Sequence, residues 1–571
     1  MNLRQIFSAA ALAISTVIFG QNPLAIPDTV SGLNFNLNIL DTSKVFYTGY
    51  VTNTYGINAP YLGPTLFLKK GDSININVNN TLMDTTTIHW HGLHVAAAND
   101  GGPHTVIPPG TIWNPKFKVR DLAGTYWYHP HLHMMTNMQA SKGAAGLIIV
   151  RDSVEALLNL PRRYNVDDFP LVIQSKAFDA GKQITIGNAY DSVMMVNGTI
   201  NPYLQAPAQV IRLRLLNASS ERVYNFGFTG NLTFNQITSD GGLLQNPVAL
   251  TRLRLAPGER AEILINLSSM QGQTVNLMSY ASELPNGIYG AANPAAMGGG
   301  SITGYSSNVL NGSDFQILKM QVVAATANPV TSIPSSLAVI TPWTVGQAAL
   351  TRTLTFSPQT MGPNQALNGP FVINNATFNM NVINYTIPKD NIEIWELRNQ
   401  TAIAHPFHIH DVQFYVVDIN GAVPPPNLQG RKDVILVPSQ QTVRFITKFE
   451  NFCDTVPYMY HCHMLPHEDD GMMGQFKVQC LTTGEKDLQL GDNSINVFPV
   501  PVKNELKINL NESISENGLI TVYDVSGRTV YTEKTKERKL ILNVELWKNG
   551  FYTVGIQDGT KMVYKKFIIN K

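Results

Sequence analysis

The stretch YHCHMLPHEDDGMM, residues 460–473, concentrates residue types that bind metals. It holds three histidines, one of the three cysteines of the chain, three methionines and three acids. Imidazole, thiolate and thioether donors together are the set that protein copper sites use. The stretch therefore indicates a copper site, and the cysteine between two histidines calls for a geometric explanation.

The thirteen histidines of the chain all lie in or beside four short motifs, two in the first part of the chain and two in the last. A purely structural role would scatter histidines, so this concentration indicates metal binding. The motifs are HWHGLH (His89, His91, His94, with His104 beyond it), HPHLH (His129, His131, His133), HPFHIH (His405, His408, His410) and HCHMLPH (His461, His463, His467).

Strand geometry explains the spacing within these motifs. Residues i and i+2 of a strand point to one face, about 6.6 Å apart, so an HxH pair can serve two neighbouring metals. In HCH, His461 and His463 then share one side and Cys462 faces the other. A thiolate with two imidazoles and a distant thioether suits a trigonal copper site that carries electrons. The residues available to complete it are His405, His467 and Met472.

Eight histidines remain for a second centre. Eight imidazoles are too many for one ion and suit about three. The main alternative to copper is a structural zinc, but such a site needs only four ligands, and these are usually rich in cysteine. The residues therefore predict a mononuclear thiolate copper joined by one peptide link to a multinuclear imidazole cluster. The eight are His89, His91, His129, His131, His408, His410, His461 and His463.

The elements that carry these motifs are predicted to be strands. SININVNN (73–80), VIRLRLLNAS (210–219) and NIEIWELRNQT (391–401) each alternate apolar and polar residues and end at an asparagine turn, which is typical of half-buried strands. We predict an all-β chain of three consecutive β-sandwich domains and a small C-terminal β-sandwich. The predicted ranges are 21–155, 165–325, 345–482 and 492–571, with a Thr-, Ser- and Pro-rich linker at 326–350.

The N-terminus, MNLRQIFSAAALAISTVIFGQ, predicts a secretory signal peptide over residues 1–20. No later segment approaches twenty apolar residues, so no transmembrane segment is expected in the mature chain. A formal net charge of +1 gives no argument for nucleic acid as a partner. Cys453 and Cys480 could pair in an oxidising compartment or remain two isolated thiols, and the sequence does not decide between them.

The four histidine motifs, with NDGGP (99–103), RLRLLNAS and SDGGLL (239–244), resemble the three-domain multicopper oxidases over about residues 35–480. This family includes laccases, bilirubin oxidases and bacterial copper-efflux oxidases. The resemblance implies three cupredoxin domains and four copper ions. The implied ligands of the type 1 copper are His405, Cys462, His467 and Met472, with Met473 as the alternative to Met472. Those of the type 2 copper are His89 and His408, and those of the type 3 copper pair are His91, His129, His131, His410, His461 and His463.

The activity implied by this resemblance is four one-electron oxidations of a small reducing substrate, coupled to reduction of dioxygen to water. Asp100 and Glu468 match acids that the family uses, and their implied roles are to orient ligands and deliver protons. A monomer is expected. Laccase-like oxidation is the leading hypothesis, and the alternatives are a cuprous or other metal-ion oxidase in copper tolerance and a non-catalytic copper-binding protein.

The substrate expectation depends on what the chain lacks. Copper-efflux oxidases carry a methionine-rich insertion and a nearby Asp/Met set over type 1, whereas the segment before HPFHIH here reads NQTAIA (399–404). An uncovered type 1 site would favour phenols, aromatic amines or tetrapyrroles. Met134, Met135 and Met138 could contact Cu(I), but packing is the simpler role.

The C-terminal eighty residues contain no histidine or cysteine, which favours targeting or attachment over chemistry. VYDVSGRTV, GFYTVGI and KKFIINK resemble the type A sorting domain of the type IX secretion system. This implies that type IX secretion machinery exports the protein through the periplasm, to be secreted or held at the cell surface. The mature enzyme would end near residue 490.

Overall fold

The computed structural model describes residues 21–186, 189–297, 300–453, 455–480, 495–510, 518–558 and 561–571. The chain divides into two compact units, Met1–Cys480 and Leu481–Lys571. The predicted signal peptide and the predicted end of the mature enzyme near residue 490 lie outside the described residues. Among the described residues, no helix combines the length and apolar character needed to cross a bilayer.

The first sandwich packs two sheets around Phe35, Leu37, Ile76 and Tyr128. Its strand Ser73–Asn80 alternates between buried and more exposed positions, as the sequence pattern predicts. In sheet order, the strands are Thr29–Ser31, Thr65–Lys69, Gly146–Arg151, Gly124–His129 and His89–His91 in one sheet, and Tyr50–Ile57, Asn34–Tyr47, Ser73–Asn80 and Ile112–Trp113 in the other, where Lys116–Lys118 also pairs with Ser73–Asn80.

The second sandwich packs around Leu213, Phe226 and Ile263, and the N-terminal strand Asn22–Pro23 pairs in parallel with its strand Pro202–Pro207. In sheet order, the strands are Thr199–Ile200, Val193–Val196, Asp168–Phe178 (which also pairs with Ile184–Thr185), Val210–Asn217, Arg260–Asn266, Phe234–Ser239 and Gly242–Leu250 in one sheet, and Asn22–Pro23, Pro202–Pro207, Asp314–Val323, Thr274–Tyr280, Tyr224–Phe228 and Leu253–Leu255 in the other.

The strand Val210–Asn217 is buried on both faces, although its alternating pattern predicts one buried face. Arg214 donates to both oxygens of Asp168, at 2.7 and 2.8 Å, and to Glu262. Glu262 in turn accepts from Thr125 of the first sandwich. Buried charges persist when they are paired and hydrogen-bonded, so the polar face of this strand joins two sandwiches instead of facing water.

The third sandwich packs around Trp395, Phe407 and Phe445, and the same cluster of buried residues includes Cys462 and Met472. In sheet order, the strands are Phe371–Ile373, Leu350–Pro358, Ile392–Asn399, Thr442–Lys448 and Phe414–Ile419 in one sheet, and Tyr385–Pro388, Met473–Gln479, Tyr458–Cys462, His405–Ile409 and Val434–Val437 in the other.

The C-terminal unit has its own core around Leu506, Ile520 and Val554. Its strands, in sheet order, are Ile495–Phe498, Glu505–Leu510 and Lys539–Asn543 in one sheet, and Thr529–Lys534, Leu519–Asp524, Gly550–Asp558 and Lys561–Ile569 in the other.

Helices are short and connect strands. The α-helices are Ala97–Asp100, Thr136–Ser141, Ser153–Ala156, Gln365–Asn368 and Leu465–Asp469, and the 3₁₀ turns are Thr229–Asn231, Ala281–Glu283, Tyr305–Ser307, Val345–Gln347 and Pro426–Leu428. The all-β prediction, with three consecutive sandwiches and a small C-terminal one, is confirmed.

Candidate metal centre

A buried sulfur and two imidazoles converge in the third sandwich. The Sγ atom of Cys462 lies 3.5 Å from Nδ1 of His405 and 3.6 Å from Nδ1 of His467. Two ligands bonded to one metal at about 2.0–2.3 Å, with angles near 110°, lie about 3.3–3.6 Å apart. The three atoms are therefore spaced as ligands of a single ion.

The backbone around this set fixes its geometry. His405 and Cys462 stand on neighbouring strands, and His467 lies on the helix Leu465–Asp469 that follows. The backbone N–H of Met464 points at Sγ of Cys462 at 3.4 Å, and Thr401 Oγ1 lies 2.8 Å from Nε2 of His405. With Nδ1 facing the sulfur, the His405 Nε2–H donates to Thr401, which fixes the tautomer of the ring.

The two adjacent methionines have different surroundings. Met472 is fully buried in the core cluster that contains Cys462, whereas Met473 packs with Phe378 and Met459 in a separate cluster. Successive residues of an extended chain point to opposite sides, so only Met472 shares the environment of the sulfur. This arrangement favours Met472 over Met473 as the distant thioether.

A first imidazole triplet joins the first and third sandwiches. Nδ1 of His91 lies 3.3 Å from Nε2 of His129 and 3.3 Å from Nε2 of His463. All three rings are buried. The separations again match ligands of one ion.

A second triplet has the same form. Nε2 of His131 lies 3.1 Å from Nε2 of His410 and 3.1 Å from Nε2 of His461, and the last two atoms are 3.4 Å apart. Three imidazoles that aim ring nitrogens at one point form a metal-binding pattern.

Two further imidazoles are left over, one from each sandwich. Nε2 of His89 and Nε2 of His408 are buried and have no hydrogen-bond partner. Their Nδ1 atoms donate to the backbone carbonyls of Asp100 (3.0 Å) and Asp433 (2.8 Å). An orphaned buried nitrogen is costly unless something binds it, so this pair is suited to a third ion.

Burial favours the neutral form that ligates metals at three of these rings. Desolvation lowers the pKa of His131 and of His463 to about 3, and it lowers the pKa of His408 well below its ordinary value. Burial also raises the pKa of the Cys462 thiol, so the sulfur loses its proton only when a cation binds and stabilises the thiolate.

Asp100 and Glu468 both contact ring nitrogens of the cluster. Nδ1 of His410 donates to Asp100 Oδ2 at 2.7 Å, and the Glu468 carboxylate lies 3.4 Å from Nδ1 of His131 and 3.2 Å from Nδ1 of His461. Burial alone would raise the pKa of Glu468, but the neighbouring histidines lower it, so the carboxylate stays ionised. Both acids are buried and hold rings on the side away from the convergence point.

Asp433 is a site residue that the sequence reasoning missed. Its Oδ1 accepts from Nε2 of His91 at 3.1 Å, and its backbone carbonyl accepts from His408. Arg260 of the second sandwich clamps the same carboxylate with two N–H groups at 2.5 and 2.7 Å, and Asp240 of that sandwich lies 3.8 Å from the guanidinium. The second sandwich, which has no histidine, therefore supports the cluster through Arg260 and Asp240.

The sequence offered only a faint signal for this support. Asp240 lies in SDGGLL (239–244), a stretch noted for its resemblance, but Asp433 and Arg260 stand in segments with no histidine or cysteine. Thr401 belongs to the segment NQTAIA (399–404), in which only the lack of Asp and Met is informative at the level of sequence.

The loop that precedes His405 is covered by two other segments. The backbone N–H of Ala404 donates to Gly287 at 2.7 Å, that of Ala296 donates to Ala402 at 2.8 Å, and that of Ala402 donates to Ala366 at 2.8 Å. Segments around residues 287–296 and 366 therefore lie directly on the loop before His405. The sequence carries no local sign of this cover, part of which comes from the second sandwich.

The three histidines outside these sets have other surroundings. His94 pairs with Asp411 at 2.7 Å, and His104 Nε2 lies 2.7 Å from Oε1 of Gln475. His133 is half-buried, and its Nδ1 is buried without a hydrogen-bond partner.

The two remaining cysteines are joined. Cys453 and Cys480 form a disulfide, which settles the choice that the sequence left open. Cys462 is the free cysteine of the chain and is buried. It is therefore the thiol available to a metal.

Comparison with known proteins agrees with this geometry. Multicopper oxidase models match residues 40–155 and 348–480. The multicopper oxidase mco of Staphylococcus haemolyticus is 35% identical over 476 residues, covering 80% of this chain and 93% of that protein. The chain belongs to the multicopper oxidase family. It is accordingly a copper-binding oxidoreductase of cupredoxin fold whose electron acceptor is dioxygen.

Other relatives carry different names. The solved structure of the laccase-like multi-copper oxidase CueO from Ochrobactrum sp. is 31% identical with a TM-score of 0.70, and covers 80% of this chain and 100% of that one. The cell division protein FtsP of Sodalis glossinidius is 31% identical over 482 residues, covering 81% of this chain and 94% of that protein. A model for a secretion system C-terminal sorting domain matches residues 496–570, which indicates export to the medium or the cell surface.

Proposed function

We propose that this multicopper oxidase is a secreted, laccase-like enzyme that couples one-electron oxidation of phenols, aromatic amines or tetrapyrroles to the reduction of dioxygen to water. The observation that carries the proposal is the sorting of buried donors into one sulfur set, two imidazole triplets and one orphaned imidazole pair. A chain that had lost the chemistry would have no need to keep twelve candidate ligands aimed at four points.

The proposed ligand assignment follows these sets. It is His405, Cys462, His467 and Met472 for type 1, His89 and His408 for type 2, and His91, His129, His463, His131, His410 and His461 for the type 3 pair, four ions in all.

Copper, when bound, would supply the one-electron redox chemistry at type 1 and the multi-electron chemistry at the cluster. Cys462 links the two centres, since its side chain faces one and its peptide neighbours His461 and His463 belong to the other. Glu468 and Asp100 orient cluster ligands and, as buried acids beside them, are the proposed carriers of the protons that water formation consumes.

The reductant is proposed to approach at His467. Its side chain is 9% exposed, whereas His405, Cys462 and Met472 are at most 1% exposed. As the most exposed of the four proposed type 1 ligands, His467 would give an organic donor the shortest approach to the site.

Oxygen consumption by the copper-loaded enzyme tests the proposal, with a phenol, a tetrapyrrole and Cu(I) compared side by side. Uptake with the organic donors is expected. A Cys462→Ser variant should lose the thiolate absorption and substrate oxidation while retaining most cluster copper. No uptake with any donor at full copper occupancy would refute the proposal and favour a non-catalytic copper protein.

Cuprous oxidation is the second candidate, because the segments that cover the loop before His405 carry exposed thioethers. Met297 is 59% exposed and follows the covering residue Ala296, and Met361 is 89% exposed and precedes the covering residue Ala366. Thioethers bind Cu(I) well. A large preference for Cu(I) in the same assay, lost in a Met297→Leu/Met361→Leu variant, would establish this function instead.

Export is proposed to run through the periplasm and the type IX secretion machinery, with the C-terminal domain removed or used for attachment. The intact mass of the secreted protein checks this, since removal predicts an end near residue 490. A monomer is proposed, to be checked by light scattering.

A further inference from the structure

A face rich in methionine lies next to the imidazole cluster. Met459 and His461 stand two apart on the strand Tyr458–Cys462, and in the paired strand Met473 is opposite His461 and Gln475 is opposite Met459. Residues two apart and directly opposed share a face of a sheet. Met459 and Met473 therefore lie on the face that carries His461.

A third methionine is held over this face by a side chain of the face itself. Gln475 Nε2 donates to the backbone carbonyls of Met380 at 3.0 Å and Val382 at 2.8 Å. Met380 packs against the cluster formed by Phe378, Met459 and Met473. The side chains of three methionines thus pack with one phenylalanine.

An imidazole with an unused nitrogen adjoins the same phenylalanine. The ring of His133 lies 5.1 Å from the ring of Phe378, and its Nδ1 is buried without a hydrogen-bond partner. A role in packing alone would not need an imidazole there, because an unpaired buried nitrogen carries a cost. Thioether donors beside an imidazole instead match the preferences of a soft monovalent cation.

The position of this face connects it to the cluster. His133 follows the ligand His131 by two residues, and a Cβ at Gly102 would meet both Met459 Cγ at 3.6 Å and Asp100 Oδ2 at 3.8 Å. Met459 and Asp100 are therefore close neighbours, and Asp100 contacts cluster ligands.

We propose that Met380, Met459 and Met473, together with His133, form a Cu(I)-binding site that receives copper on its way to the imidazole cluster. The ion stays cuprous in this step, and the site only passes it on to the histidines of the imidazole cluster. This entry site is separate from the four ions of the proposed function and from the exposed Met297 and Met361.

Silver(I), a redox-inert monovalent cation with the same preference for sulfur, tests the site in the fully copper-loaded enzyme. Calorimetry should show one Ag(I) bound per chain, with Ag–S scattering in X-ray absorption. A Met380→Leu/Met459→Leu/Met473→Leu variant should bind it at least about tenfold more weakly, since loss of even an outer partner of a metal costs that much. Met83→Leu, at an 86% exposed methionine, is the matched control.

Reconstitution supplies a second measurement. The apoprotein of the triple variant should take up copper from a Cu(I) donor several-fold more slowly than the Met83→Leu protein and reach the same final copper content. Circular dichroism confirms folding, because leucine keeps the volume of methionine. Silver affinity and uptake rate equal to the control would overturn the site, whereas lack of oxygen uptake by the loaded enzyme would bear only on the proposed function.

Discussion

Replacing Asp433 with asparagine tests the support that the second sandwich gives to the imidazole cluster. The carboxylate Oδ1 accepts from His91 and from Arg260, and Oδ2 accepts from the second N–H group of Arg260. An amide offers only one acceptor. With its oxygen toward His91, its NH₂ opposes an Arg260 N–H, and with the amide reversed its NH₂ opposes Nε2–H of His91. Either way a buried donor loses its partner.

The magnitude follows from the burial of this pair. Arg260 and Asp433 are both fully buried, and removing one partner of a buried ion pair costs about 3–5 kcal/mol. Asp240 still lies 3.8 Å from the guanidinium, so we expect a loss near the lower end, about 3 kcal/mol. Loss of an outer partner also weakens a metal site by about 10–100-fold, here at the His91 triplet.

Denaturant unfolding of the apoprotein and copper analysis by mass spectrometry after chelator competition measure the two effects. Asp418→Asn is the matched control, because Asp418 forms a similar pair with Arg444, whose side chain is 38% exposed. A pair of that kind contributes about 0–1 kcal/mol. If Asp433→Asn behaves like Asp418→Asn in both measurements, the reasoning about the clamp is wrong.

Two substitutions and the reduction of one disulfide probe single contacts. Thr401→Val removes the acceptor for His405 Nε2–H, which should lower the free energy of unfolding in denaturant by about 1–3 kcal/mol. It should also raise the type 1 reduction potential in a redox titration, because the ring becomes a weaker donor to the metal. Glu468→Gln should slow turnover at saturating reductant while leaving anaerobic reduction of type 1 unchanged in stopped flow. Reducing the Cys453–Cys480 disulfide, which closes a separation of 27 residues, should cost about 3.5 kcal/mol in chemical denaturation, and a shift under 1 kcal/mol would contradict the loop-entropy argument.

The sequence predicted the sandwiches and the donors because both are encoded locally. Alternation marks a strand such as Ser73–Asn80 wherever one face is buried, and the HxH and HCH spacings place side chains on known faces of a strand. The same local rule separates Met472 from Met473, which adjoin in sequence but occupy different clusters.

The remaining features depend on which surfaces meet. Alternation in Val210–Asn217 could not show that its arginine face is covered by another sandwich. Asp433 and Arg260 lie 173 residues apart and neither belongs to a local motif, so their role emerges only when three sandwiches are packed together. The packing of distant segments on the loop before His405 is not encoded locally for the same reason.

The sequence separation within the imidazole triplets also determines when copper can bind during maturation of the enzyme. His91 and His463 lie 372 residues apart, and Arg260, which clamps the Asp433 partner of His91, comes from the second sandwich. A chain that emerges N-terminus first has no complete triplet until its third sandwich has formed and docked, and contacts so distant in sequence are slow to form. Copper loading is therefore a late event in the life of this protein, and a chain truncated anywhere before the HCH motif would fold part of its β-structure yet hold no cluster at all.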